Sequence, residues 1–215
     1  MLFCHITTQI QGEKHGDLLE QKGGNAFPFL AFMDADGNVI AVHNEDRTAV
    51  EFAKTGEKAK SFVEAKVKAE KGDPSAKIDF IILQLSFGQI KADAAQKQIK
   101  EAGVPTKEQQ AKVEAELLNA SIMETVKGVD SQEGMKAVAK KFYEMHKAGK
   151  PAPTSSQAVQ AYFILALGAA DELKDVETFA ALLKILKEKF GALEGAQLFF
   201  KAKEKRLEEL KAEKK

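Results

Sequence analysis

The sequence predicts an α/β segment over residues 1–73 followed by an all-α segment over residues 74–215, and three observations carry that division. Residues 26–40, AFPFLAFMDADGNVI, set two apolar runs on either side of Asp34-Ala35-Asp36-Gly37-Asn38. That is the pattern of two short strands joined by a tight turn. Beyond Pro74 the apolar residues recur at helical spacing to the end of the chain. Between the two lies Lys71-Gly72-Asp73-Pro74-Ser75, where Gly can end a helix and Pro forbids its continuation, and the domain boundary is expected there.

In the first segment, residues 1–10 are rich in β-branched and aromatic side chains and read as a strand. A short helix follows, with Asp17 as its cap, Leu18 and Leu19 as buried anchors and Gly23-Gly24 as its left-handed end. Pro28 stands at the head of the next strand, where no ladder donor is demanded of it, and Gly37 supplies the positive φ of the turn. Residues 43–47 are polar and loop over the sheet end. A helix over residues 57–71 then turns an apolar face of Phe62, Val63 and Val67, with Phe52 ahead of it, toward the sheet.

The second segment reads as about six helices. Ile78, Ile81, Ile82, Leu85 and Ile90 mark the first, widened by Phe80 and Phe87 and broken at Gly103-Val104-Pro105. Thr106 with Gln109 makes a capping box for the second, and Asp130 with Glu133 one for the third. Thr154 or Ser155 caps the helix of Val159, Tyr162 and Phe163, and Asp175 opens one that Gly191 closes. The last carries Leu193, Leu198, Phe199, Leu207 and Leu210 into a charged end, read as a solvated helix.

Composition excludes several classes. At 44% hydrophobic and 30% charged, the 215 residues resemble an ordinary soluble protein rather than a disordered one. Thirty-two basic and 32 acidic residues cancel, so no net field draws the chain to nucleic acid or to an anionic membrane. The longest apolar run, AYFILALGAA, falls well short of the roughly eighteen residues of a membrane span. No secretory leader is recognisable, so the chain as it stands reads as cytoplasmic; a longer natural chain with an upstream signal would read as periplasmic. Cys4 is the only cysteine, which rules out an internal disulfide and Cys-x-x-Cys chemistry within these residues.

The order strand, short helix, proline-led hairpin, helix resembles the latter part of a thioredoxin-like domain. Phe27-Pro28-Phe29-Leu30 is similar to that family's cis-proline loop, and Asp34-Ala35-Asp36-Gly37-Asn38 to its hairpin turn. The resemblance covers about the first third of the chain. It implies a truncated thioredoxin-like domain, because the family's preceding strand and helix, with their Cys-x-x-Cys, have no counterpart here. In that fold the missing strand lies between residues 2–10 and the hairpin, so its absence leaves two unpaired edges. In the helical segment, residues 162–190, with Leu167-Gly168 and Ala180-Ala181, are similar to a tetratricopeptide unit. No repeat of about 34 residues runs through the rest, so this resemblance implies stacked helical hairpins and nothing about a ligand groove.

The candidate site residues are Phe27 and Pro28. The resemblance gives Phe27 a backbone that pairs with an extended peptide, and gives Pro28 the cis bond. The alternative is a proline that only shapes the fold. No catalytic, cofactor or metal residue is assigned. His5, His15, His43 and His146 lack helical metal spacing and read as surface or packing residues, and Cys4 beside His5 points to the opposite strand face. Asp34, Asp36 and Asn38 superficially resemble a calcium loop, but Gly37 is misplaced for one and the turn explains them.

Three functions stay open. The first is a non-catalytic thioredoxin-like protein that binds a protein or an extended peptide, without nucleic acid, membrane or cofactor. The second is a thiol-disulfide oxidoreductase represented without its Cys-x-x-Cys segment. The third is a homodimer whose sheet is completed across subunits.

Overall fold

A computed structural model describes residues 16–24, 28–43 and 47–213. The strand expected over residues 1–10, with Cys4 and His5, lies outside the described residues, as does His15. The first described helix, α1 (Leu18–Gln21), is a single turn. Asp17 stands at its start but caps no backbone amide; its carboxylate accepts from Gln21 Nε2 at 2.7 Å. Leu18 and Leu19 are half-buried rather than buried, because one helical turn shows little surface to a neighbour.

The expected hairpin forms, with β1 (Ala31–Met33) antiparallel to β2 (Val39–Val42). Asp34 organises its turn, the carboxylate accepting from the backbone N–H of Asp36 at 3.0 Å and of Asn38 at 2.8 Å, while Gly37 takes φ +77°. The carboxylate of the superficial calcium pattern is thus spent on turn amides. The pairing shifts register between Phe32 and Met33, a bulge that inserts one residue into β2. Ile40 and Ala41, which strict alternation would send to opposite faces, therefore share one core and are 7% and 0% exposed.

The next helix, α2 (Ala49–Glu70), starts well ahead of the predicted residue 57. Thr48 caps it, accepting from Glu51 N–H at 3.2 Å. Its first turns are held by His43, which is buried rather than looping over the sheet. The imidazole stacks on Phe52 with centroids 4.0 Å apart, and its Nδ1 lies 2.8 Å from Thr55 Oγ1. The inward face is Thr55, Ala59, Phe62 and Ala65, whereas Val63 and Val67 are 42% and 43% exposed. The stripe faces the following helix, where Ala59 and Phe62 pack with Phe80, Leu83 and Phe87.

Seven α-helices follow Pro74 among the described residues: α3 (Pro74–Ser86), α4 (Ala92–Ala102), α5 (Lys107–Lys127), α6 (Gln132–Lys147), α7 (Ser156–Glu172), α8 (Val176–Phe190) and α9 (Gln197–Glu213). The first predicted helix is in fact α3 and α4. Gly88, at φ +66°, separates them where the apolar period runs on uninterrupted. The Thr106–Gln109 capping box is complete, with both reciprocal bonds formed. For α6 the cap is Ser131, one residue beyond the predicted Asp130, accepting from Gly134 N–H at 3.1 Å. Ser155 and Asp175 cap α7 and α8. In α9 the buried residues are Phe200 and Leu210, while Leu198, expected inside, is 83% exposed.

Two cores fill the helical array, one of Ile78, Ile81, Ile82, Ala95, Ile99 and Val113 around α3 to α5, the other centred on Phe142, Tyr162, Phe179 and Leu186 in α6 to α8. The helix α3 is apolar on two sides. Its opposite face sends Phe80, and the residue after it sends Phe87, against Phe62 of α2, with ring centroids 4.9 Å and 5.8 Å apart. The core of the hairpin is thus completed from beyond Pro74.

Within the larger core the Tyr162 side chain is fully buried and its hydroxyl meets no hydrogen-bond partner among the described residues. An unmatched buried hydroxyl costs about 1–3 kcal/mol. Tyr162→Phe keeps the ring contacts with Phe142 and Phe163 and removes that cost. The variant is expected to melt above the parent in a thermal scan; a variant melting below it would show that the hydroxyl is satisfied.

Candidate functional site

Pro28 lies exposed at a bend just before β1, where the sequence predicts it; Phe27 is outside the described residues. Two contacts hold this end of the hairpin. The Phe29 ring lies against Gly24, where a Cβ would come within 2.9 Å of it, and Leu30 C=O accepts from His43 N–H at 2.8 Å. The other end is pinned by Lys22 Nζ, which donates to Gly37 C=O at 2.7 Å. The loop is therefore presented by a hairpin fixed at both ends.

A second feature escaped the sequence. A cleft of about 490 Å³ separates the first turns of α2 from the start of α7 and the end of α8. Its walls carry Lys54 and Lys58 on one side and Ser156 and Lys189 on the other, and Pro28 is not among its lining residues. Lys54 is paired with Glu51 at 2.6 Å. The floor is set by Asn119 of α5, only 5% exposed. Its Oδ1 accepts from the backbone N–H of Thr154 at 2.8 Å and of Ser155 at 3.1 Å, and its Nδ2 donates to Thr154 Oγ1 at 3.0 Å and to Glu116 at 3.1 Å. A buried amide thus straps the segment before α7 onto α5. Asn119 sits within the predicted second helix, between the apolar Leu118 and Ile122.

The most strongly perturbed carboxylate belongs to Asp175. Lys147 first, then the Tyr143 hydroxyl, hold it well below the usual carboxylate range, although desolvation opposes them. The distances are 2.9 Å and 2.7 Å, and Thr178 adds its backbone N–H and hydroxyl. Perturbed groups often mark active sites, but here Lys147 and Tyr143 tie α6 to the start of α8, and Thr178 completes the cap of α8. His146, at the end of α6, packs edge-on to Phe163, and burial pushes its pKa down. Both described histidines therefore pack against aromatic rings, within the reading made of them from sequence.

No protein-family model, curated protein or solved structure matches the chain. Its class is that of its own architecture, a small antiparallel hairpin joined to an array of helices. No helix among the described residues is long and apolar enough to cross a membrane.

Proposed function

We propose that the protein is a non-catalytic, thioredoxin-like binding protein, its hairpin the latter part of such a domain and its helices stacked in tetratricopeptide-like pairs. Its ligand is an extended segment of a protein or peptide. The observation that supports this reading is the exposed Pro28, three residues ahead of Ala31 at the start of β1, in a hairpin anchored at both ends. A rigidly held extended backbone offers main-chain hydrogen bonds at little ordering cost. The residues assigned to the ligand are Phe27 and Pro28, and no cofactor or metal takes part. The competing reading, a thiol-disulfide oxidoreductase acting through a Cys-x-x-Cys beyond these residues, differs in chemistry rather than in binding surface.

Titration of the full chain, isotope-labelled, with extended octapeptides of alternating apolar and polar residues tests the proposal. The amides of Phe29, Leu30 and Ala31 are expected to shift saturably, and Pro28→Ala to weaken binding about tenfold, a change of about 1.4 kcal/mol. Unshifted amides at millimolar peptide would overturn the proposed site. Catalytic turnover of insulin disulfides by the chain would overturn its non-catalytic character.

A further inference from the structure

Among the described residues, one side chain bonds carbonyls on the outer edge of β2. His43 N–H donates to Leu30 C=O, and Val42 stands opposite Ala31. The alternation of an antiparallel ladder then turns the Val42 backbone away from β1. Next to it the bulge leaves Ile40 out of the ladder, while Val39 stays opposite Met33, and the carbonyls of both are within reach of one side chain. Gln89, exposed in the connector between α3 and α4, takes them up: its Nε2 donates to Ile40 C=O at 2.8 Å and reaches Val39 C=O at 3.4 Å. The connector is held in place by the left-handed Gly88 and by Gln89 N–H donating to Gln84 C=O at 2.9 Å.

We propose that Gln89 is an edge guard, occupying the acceptors that a strand from a second copy of this chain would use and so keeping β2 from pairing with β2 of that copy. An open strand edge is a template for pairing, and the uncharged run Val39-Ile40-Ala41-Val42 is the kind of sequence that exploits it. A two-fold pairing of β2 on β2 is self-complementary, so one bare edge suffices to start it. The inference concerns the edge of β2 and stands apart from peptide binding at Pro28.

Two substitutions in the full chain test it. Gln89→Ala and Gln89→Glu both lose the bond to Ile40 and leave its carbonyl without a donor, but glutamate also puts a charge at the edge, which discourages pairing. By sedimentation equilibrium, Gln89→Ala is expected to self-associate at least about tenfold more strongly than the parent, and Gln89→Glu no more strongly. Hydrogen exchange at the Val42 amide should slow with protein concentration in the alanine variant alone. The proposal is overturned if the alanine variant associates no more than the parent, since the connector backbone would then be the cover. It is equally overturned if both variants associate alike, since lost stability rather than an opened edge would be the cause.

Discussion

Phe62→Ala is expected to destabilise the protein by about 3–5 kcal/mol, the range for removing a buried aromatic side chain. Phe62 is 7% exposed and lies between the hairpin and the outer face of α3, touching both Phe80 and Phe87. Its loss opens a core that joins the sheet to the helical array. Equilibrium denaturation followed by circular dichroism gives the total effect. Amide exchange locates it: protection should fall first at Ile40 and Ala41, while the core around Phe142 and Phe179 stays closed. Uniform loss of protection through α6 to α8 would mean that the hairpin core and the core around Phe142 and Phe179 unfold as one unit.

Asp175→Ala is expected to cost about 2–3 kcal/mol near neutral pH. The cap of α8 contributes about 1 kcal/mol, and the Tyr143 hydroxyl, left without its acceptor in a partly buried place, adds a similar amount. The ion pair with Lys147 adds little, because that lysine is 52% exposed. The pH dependence follows from the direction of the shift. A carboxyl held below its unfolded value stabilises the folded state above that value, about 3.9 for aspartate, and loses this contribution as pH falls through and below it. The gap in unfolding free energy between parent and variant should therefore narrow steadily as pH drops below about 5. A gap that is constant from pH 7 to pH 3 would show that the carboxylate is not the stabilising partner.

What was legible in the sequence was local. Gly37 and the residues around it specify a turn within five positions, and Thr106 with Gln109 closes a capping box within four, so neither needs the rest of the molecule. What was hidden depends on partners remote in the chain. The rotation of α2 that leaves Val63 and Val67 outside is set by α3, and the burial of Ile40 beside Ala41 is set by a bulge that no period of two or 3.6 encodes. The break at Gly88 was masked because Ile90 extends the apolar period across it. Of the candidate site, Pro28 could be read because proline constrains its own surroundings. The cleft could not be, because its walls come from α2, α5, α7 and α8 and meet only on folding.

The double-sided character of α3 bears on how such a chain can be inherited. The glycine and proline at residues 72 and 74 look like a seam along which a hairpin module and a helical module could be exchanged between genes. A helical array received without its hairpin would display Phe80, Leu83 and Phe87 to solvent, a continuous sticky face on the first helix it presents. A hairpin received without α3 would leave Phe62 equally bare. Recombination at this seam is therefore expected to be disfavoured from both sides, with the two parts travelling through evolution together and substitutions at Phe62 matched by substitutions at Phe80 and Phe87.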